Sequence, residues 1–194
     1  MILIGLTGTI GSGKTFALNF FKSEKIATFS ADEEVKKILK IKTIKEKIYK
    51  LFPETFFKKK LNKSILASIV FNDKKKINKL EKIIHPHVKK NKKIFLSKNK
   101  KKKLVVMEIP IIFEQKSKKY YDYIILMNVN KKIQQQRVMK RKKMTPKLLK
   151  KILSNQISNK KKKYADFVIN NNGQKEKTKQ TLKKTLDKIV STNL

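Results

Sequence analysis

The residues best suited to chemistry lie near the start of the chain, in the segment GTIGSGKT at residues 8–15. This segment fits the pattern G-x-x-x-x-G-K-[ST], which is typical of loops that bind the phosphates of a nucleoside triphosphate. Glycines allow such a loop to turn its backbone N–H groups inward, toward phosphate oxygens. Lys14 is expected to reach the β- and γ-phosphates, and the Thr15 hydroxyl is placed to ligate Mg²⁺. The candidate nucleotide-binding residues are Gly11, Ser12, Gly13, Lys14, Thr15 and Phe16.

The segments on either side of this loop supply the context that it needs. Residues 2–6 form an apolar run, which predicts a buried parallel strand. From Gly13 onward, Ala17, Phe20 and Phe21 share one face of a predicted helix. A strand before the loop and a helix after it make a chance glycine turn a poor explanation.

An acidic residue follows the next predicted strand, at residues 26–29. Asp32 should lie near the carboxyl edge of a parallel sheet, where ligands bind. Its functional interpretation is to orient or deprotonate an acceptor hydroxyl, or to hold Mg²⁺ through water. The alternative is that Asp32 caps the N-terminus of a helix.

The two arginines lie four residues apart on a helix predicted over residues 134–143. Arg137 and Arg141 therefore share one face of that helix. One interpretation is a lid that clamps nucleotide phosphates, and the other is a solvated helix. Lysine would serve equally well on a solvated face, and 49 of the 51 basic residues are lysines, which favours the phosphate role.

Strands are predicted at residues 2–6, 26–29, 104–109, 123–129 and 167–169, with helical segments between them. This alternation predicts an α/β fold with a mostly parallel five-stranded sheet. A helix from residue 35 must end before Pro53, and a later one is expected to break at Pro86. Residues 33–100 are thus predicted to be a helical insertion without strands. Further helices are predicted from the Thr145 cap and over residues 182–190.

Composition limits the classes of function. The chain of 194 residues has no cysteine and two histidines, which excludes disulfides, thiolate catalysis and a histidine-rich metal site. Its apolar runs are too short to cross a membrane, and the first residues have no signal-peptide pattern, so a soluble cytoplasmic protein is expected. The formal charge of +37 suits a nucleic-acid binder, but abundant Lys, Ile and Asn with few Gly are typical of an A/T-rich genome.

Several segments together resemble the dephospho-CoA kinase family, over nearly all of the chain. They are GLTGTIGSGKT at residues 5–15, SAD at 30–32, VFND at 70–73, LEKIIHP at 80–86, VMEIPIIFE at 106–114, Gln156, and ADFVINNNG at 165–173. The combination of the 80–86 and 106–114 segments is specific, whereas each segment alone is weak.

The resemblance implies a P-loop kinase fold with a five-stranded parallel sheet, a helical CoA-binding region and a lid. The corresponding ranges are a core at 1–32, 103–130 and 164–194, the CoA-binding region at 33–102, and the lid at 131–163. The implied reaction transfers the γ-phosphoryl group of ATP, with Mg²⁺, to the ribose 3′-hydroxyl of dephospho-CoA. No membrane or functional nucleic-acid partner is expected.

The resemblance also implies roles for individual residues. Lys14, Asp32 and Arg137 would be catalytic, while Arg141 and Asn171 would bind ATP. The implied substrate-binding residues are Lys36, Lys63, His85 and Glu114.

Some of these roles have alternatives or departures. His85, Asp166 and Asn171 also fit structural roles, and Glu108 fits either metal assistance or capping of a strand end. Ser30 stands where the family usually has Asp, and Lys36 and Lys63 stand where it has Arg, which loses the bidentate fork. Two other functions stay open: another P-loop small-molecule kinase, such as a nucleoside monophosphate kinase, and a basic nucleic-acid-binding P-loop module.

Overall fold

The computed structural model describes residues 1–71, 73–108, 120–141, 144–154 and 165–193. Two compact units divide the chain. The core unit comprises Met1–Phe29 and Asn99–Leu194, and the helical unit comprises Ser30–Lys98. No helix in these ranges combines the length and the apolar character needed to cross a membrane.

The strands of the described residues are β1 Ile2–Gly8, β2 Ala27–Phe29, β3 Phe56–Phe57, β4 Lys60–Leu61, β5 Leu104–Glu108, β6 Tyr123–Asn128 and β7 Phe167–Asn170. The helices are α1 Lys14–Ser23, α2 Ala31–Ile38, α3 Lys42–Leu51, α4 Lys63–Phe71, α5 Lys74–Lys98, α6 Lys131–Met139, α7 Pro146–Ser154 and α8 Lys175–Ser191, with a 3₁₀ turn at Pro53–Thr55.

The core unit is built on a five-stranded sheet in the order β2-β5-β1-β6-β7. Every neighbouring pair of strands is parallel. β5 is buried along its whole length, and β1 is buried from Ile4 onward, as expected for central strands covered on both faces. The predicted α/β fold with a five-stranded parallel sheet is therefore confirmed.

Two aspartates fix the register of neighbouring strands. The Asp122 carboxylate accepts a hydrogen bond from the Leu3 N–H, and the Asp166 carboxylate accepts one from the Ile124 N–H, both at 2.7 Å. In return, the Asp122 and Asp166 N–H groups donate to the carbonyls of Leu3 and Ile124 at 2.9 Å. A shift of either strand by one residue would break both bonds of its pair.

Helices α1 and α8 bury their apolar faces against the sheet. Phe21, Leu182 and Ile189 are fully buried in one cluster with Ile4 and Ile125. Phe20 and Phe21 also contact each other edge to face. The apolar face predicted for the first helix is confirmed, and that helix carries the end of the candidate phosphate loop.

The helical unit differs from the prediction in three respects. Residues 33–52 form two helices, because the turn at Leu39–Ile41 closes on the carbonyls of Lys37 and Ile38 before α3 begins. The prediction of no strands was wrong, since β3 and β4 form a short antiparallel hairpin. The predicted break at Pro86 was also wrong, because α5 continues through that residue from Lys74 to Lys98.

The last helices of the core unit begin earlier than expected. Asn130 caps α6 by accepting a hydrogen bond from the Ile133 N–H at 2.9 Å, which moves the start of that helix to Lys131. The Thr145 cap is confirmed, because its hydroxyl accepts from the Leu148 N–H at 3.2 Å. α8 begins at Lys175 instead of Leu182. Residues 142–143, the last two of the helix predicted over 134–143, lie outside the described ranges.

Candidate active site

The phosphate loop joins β1 to α1, and its glycines take backbone conformations that side chains rarely adopt. Gly11 has a φ of 77° and Gly13 a φ of 102°. A Cβ on Gly11 would lie 2.7 Å from Val138 Cγ2, and a Cβ on Gly13 would overlap the Asn171 amide. Both glycines are therefore required by backbone conformation and by close packing.

The first turn of α1 provides the donors for an anion. Gly13 stands at the N-cap, and no side chain of the described residues caps this helix. The first N–H groups of a helix have no partner within the helix, and the helix dipole adds positive potential at this end. The loop and the helix start together fit a phosphate group.

The carbonyls of the loop are bound by side chains. The Lys14 ammonium donates to the carbonyl of Gly8 at 2.8 Å and to that of Thr9 at 3.4 Å. Lys14 is half-buried, and its side chain lies across the phosphate loop, as its position in the motif predicts. The Ser12 side chain is fully buried, and its hydroxyl has no hydrogen-bond partner among the described residues.

Two amide side chains from distant parts of the chain hold the loop from outside. Asn171 Nδ2 donates to the Ser12 carbonyl at 2.9 Å, and Asn171 Oδ1 accepts from the Thr178 hydroxyl at 3.2 Å. Gln134 Nε2 donates both to Thr9 Oγ1 and to the Ile10 carbonyl, each at 2.7 Å. Sequence reasoning missed Gln134, which has no distinguishing signal among the three consecutive glutamines at 134–136.

Asn171 and Asp166 both make hydrogen bonds within the fold, which is what their alternative, structural roles predicted. Asn171 is buried directly behind Gly13, and its bonds to Ser12 and Thr178 use both ends of its amide. Asp166 fixes the pairing of β6 with β7. The structure thus places Asn171 at the back of the phosphate loop.

The remaining charged candidates of the core unit lie on β5 and α6. Glu108 is buried at the carboxyl end of β5. Its partner on β1 is Leu6, which lies two residues before the start of the phosphate loop at Gly8. Arg137 is half-buried and Arg141 is exposed, just beyond the end of α6. The same helix contributes Gln134 and Val138 to the loop, so the arginines belong to the element that packs against it.

Metal ligands are few. Thr15 is exposed in the first turn of α1, where its hydroxyl oxygen is the kind of ligand that Mg²⁺ accepts. Within the described ranges, no three histidine, aspartate or glutamate side chains come together as a metal site. The residues present fit a cation that takes most of its ligands from nucleotide phosphates and water.

An open cavity of about 970 Å³ adjoins the loop within the core unit. Leu126, Met127 and Leu149 supply apolar surface to it. Its polar lining includes Thr9, Asn128, Asn130, Lys150 and Asn172. This volume and mixed lining suit a small organic ligand next to the phosphate loop.

Asp32, Lys36, Lys63 and His85 belong to the helical unit. Asp32 is exposed in the first turn of α2, and the N-cap of that helix is Ser30, whose hydroxyl accepts from the Glu33 N–H at 3.3 Å. The N-cap alternative for Asp32 is therefore wrong. Ser30, in place of the usual family Asp, keeps an oxygen that caps the helix.

The three other candidates of this unit lie on separate helices. Lys36 is exposed on α2, and Lys63 is exposed at the first residue of α4. His85 is half-buried in the middle of α5, with its Nε2 4.0 Å from Glu81 Oε1. Glu114 and Gln156 lie outside the described residues, as does the stretch at 109–113.

The fold and the loop together define the class of this protein. A parallel sheet whose central strand leads through a G-x-x-x-x-G-K-T loop into a helix is the arrangement of P-loop nucleotide-binding proteins.

The chain is similar to two solved structures over nearly their whole length. One is the Thermus thermophilus protein TT1252, with a TM-score of 0.79, 26% identity, and coverage of 98% of this chain and 96% of that one.

The second structure is a dephospho-CoA kinase from Campylobacter jejuni, with a TM-score of 0.64, 28% identity and 96% coverage of both chains. The family model for dephospho-CoA kinase matches residues 2–177. A dephospho-CoA kinase of Bartonella quintana is 38% identical over 193 residues, which are 98% of this chain and 99% of that protein. The chain belongs to the dephospho-CoA kinase family.

Proposed function

We propose that the chain transfers the γ-phosphoryl group of ATP to the ribose 3′-hydroxyl of dephospho-CoA, giving CoA and ADP. The phosphate loop carries this proposal: left-handed glycines, a start of α1 that no described side chain caps, and Lys14 form an anion cradle in a chain of this family. Positioning and electrostatic stabilisation of the transferred group account for most of the catalysis of phosphoryl transfer.

On the donor side, the N–H groups from Gly11 to Phe16 hold the phosphates. Lys14 neutralises charge that develops on the transferred group, and Arg137 and Arg141 add guanidinium donors from α6. Thr15 would hold Mg²⁺, which supplies further charge neutralisation when it is bound. Support comes from the position of α6, which packs its Val138 against Gly11.

On the acceptor side, Asp32 orients the 3′-hydroxyl or accepts its proton. Its exposure in the first turn of α2 leaves the carboxylate accessible to a substrate, and Ser30 already fulfils the capping role. Lys36, Lys63 and His85 bind the acceptor nucleotide, whose phosphates attract their positive or hydrogen-bonding groups. Lys in place of Arg at residues 36 and 63 provides a charge without a planar fork.

One panel of acceptors tests the proposal. ADP release is followed with ATP and Mg²⁺ in the presence of dephospho-CoA, of nucleoside monophosphates, or of duplex DNA, with Lys14→Ala as the inactive control. We expect turnover only with dephospho-CoA, and a product that carries phosphate on the 3′-oxygen by NMR. Faster turnover with a nucleoside monophosphate, or ATP hydrolysis stimulated by DNA alone, would overturn the proposal.

A further inference from the structure

Gln134 is a buried glutamine of α6 that has no part in the reaction proposed above. Its side chain is 7% exposed. Its Nε2 has two N–H groups, and the two bonds to Thr9 Oγ1 and the Ile10 carbonyl, both 2.7 Å long, use both of them. The Gln134 amide thus donates hydrogen bonds to two successive residues of the phosphate loop.

These bonds control which groups the loop presents to an anion. A loop binds phosphate only if its N–H groups converge and its carbonyl dipoles point elsewhere. Here the Gly8 and Thr9 carbonyls accept from Lys14, the Ser12 carbonyl accepts from Asn171, and the Ile10 carbonyl accepts from Gln134. Loss of the Gln134 donor would leave the Ile10 carbonyl without this partner and release the Thr9 hydroxyl, next to the phosphate-binding turn.

The position of Gln134 on α6 adds a second consequence. Val138 lies one turn farther along and packs against Gly11, so α6 touches the loop at two successive turns. Arg137 lies three residues after Gln134, on the same side of the helix. The contacts to Thr9, Ile10 and Gly11 therefore also fix the helix from which Arg137 extends.

We propose that Gln134 is a positioning residue for phosphoryl transfer, which holds the Thr9–Ile10 part of the loop in its anion-binding conformation and anchors α6 to it. The proposal rests on the kinase function stated above. Gln134 does not contact the reacting atoms in this role; it acts through the loop and through Arg137.

The test compares Gln134→Leu with matched controls. Gln134→Leu keeps the size of the side chain and removes both donors. Gln136→Glu and Gln136→Leu alter an exposed glutamine of the same helix. Leu186→Ala removes part of a buried core side chain on α8, and so reports the effect of lost stability alone. Thr9→Val removes one acceptor while Gln134 remains.

We expect Gln134→Leu to raise KM for ATP and the Kd for ATP by calorimetry about tenfold, and to lower kcat, because the loop loses both hydrogen bonds from Gln134 that hold its binding conformation. KM for dephospho-CoA should change less than twofold. Thr9→Val should show a smaller increase of the same kind, and the effects of the two changes should not add in the double variant. Leu186→Ala should lower Tm without changing KM for ATP.

Two outcomes would overturn the inference: a lower Tm for Gln134→Leu with KM and Kd for ATP within twofold of the unaltered protein, or strict additivity with Thr9→Val. If Gln134→Leu does not fold, Gln134→Met and Thr9→Val carry the same comparison. Failure of the proposed function is distinguishable, because it would abolish turnover of dephospho-CoA by the unaltered protein. The calorimetric comparison with ATP would then still decide the role of Gln134.

Discussion

At the scale of single residues, Lys14 has the most direct link between position and chemistry. Its ammonium lies 2.8 Å from the Gly8 carbonyl, across the turn that the glycines create. In the proposed reaction, this cation would neutralise charge on the phosphate oxygens. The rest of the loop supplies neutral N–H dipoles, so removal of Lys14 deletes its full positive charge.

The Lys14→Ala variant should fold and lose most of its turnover. Electrostatic groups of this kind contribute about 3–4 kcal/mol to the transition state, or about 10²–10³ in rate. The measurement is kcat for ADP formation, with circular dichroism as the control for folding. A folded variant that turns over at close to the original rate would remove Lys14 from the catalytic site.

Asp32→Asn keeps the shape of the side chain and removes its charge. If Asp32 orients or deprotonates the acceptor hydroxyl, kcat should fall about 10²–10⁴-fold while the Kd for ATP changes little. Because Ser30 caps α2, Tm should stay close to the original value. Unchanged kcat would contradict the assigned role, and Ser30→Ala provides the comparison for a variant that weakens the helix start.

At the scale of elements, one carboxylate joins α2 to α5 by a hydrogen bond, beside the apolar cluster that both helices share. Glu34 Oε1 accepts from Lys37 Nζ at 2.6 Å, and Glu34 Oε2 accepts from Asn91 Nδ2 at 2.8 Å. Burial by itself raises the pKa of Glu34, but the hydrogen bonds from Lys37 and Asn91 outweigh it and hold the pKa below its ordinary value of 4.5. The ionised form is therefore the one that the folded helical unit stabilises.

Stability should consequently depend on pH through Glu34. A carboxyl group with a lowered folded pKa contributes stability above its ordinary pKa, and this contribution is lost as pH falls through the folded value. We expect Glu34→Gln to reduce the free energy of unfolding by about 1 kcal/mol near neutral pH. The difference should disappear in acid, in urea titrations across pH 2–7. Glu46→Gln, at an exposed residue of α3, is the control variant that removes the same charge.

The arginines of α6 provide a second test at this scale. Arg137→Lys and Arg141→Lys preserve net charge but remove the planar fork that binds two phosphate oxygens. We expect the double variant to lose about tenfold or more in kcat/KM for ATP, which corresponds to about 1.4 kcal/mol. A double variant with unchanged kinetics would leave the arginines as part of a solvated helix.

Much of the core unit was predictable from the sequence, because buried parallel strands are continuous apolar runs and the loop has a fixed spacing. The hairpin of the helical unit was not predictable in this way. Its turn places Lys58 and Lys59 at φ values of 46° and 61°, where glycine or asparagine would be the usual signal. Pro86 likewise favours a break, yet the apolar face of α5, with Ile84 buried, holds the helix together.

The candidate site was predictable mainly where its residues form one local sequence pattern, as the glycines, Lys14 and Thr15 do. Gln134 reaches the loop from 125 residues away, so no local spacing could reveal it. Asn171, 159 residues from Ser12, was named only through the family resemblance. Only the fold brings these amides to carbonyls of the loop.

At the scale of the whole molecule, the charge of +37 is spread over the chain instead of being concentrated at the site. Lys100, Lys101 and Lys102 are exposed, for example, in the connection before β5. Charges on such a surface are screened beyond about 10 Å at moderate salt. We therefore expect most of the lysines to contribute little to the transfer of a phosphoryl group.

Replacement of these three lysines by glutamine should leave kcat/KM within about twofold at 0.1 M salt, where the Debye length is about 10 Å. This change removes three charges, whereas the arginine variants above remove none. We nevertheless expect the arginine variants to lower kcat/KM more than the lysine replacements do. A nucleic-acid binder would behave differently, since its affinity would fall with salt at a log–log slope of about −0.9 per phosphate contacted. Tight duplex binding that depends on Lys100–Lys102 would favour that function.

The two amides that hold the phosphate loop also set an order of events during synthesis. The Asn171 amide that binds the Ser12 carbonyl is made 159 residues after Ser12 itself. Strand β6 and helix α6, which adjoin the loop, are also late in the sequence. A nascent chain therefore carries the whole nucleotide motif long before it carries the nucleotide site. We therefore expect ATP to stabilise chains that extend past Asn171 more than shorter ones.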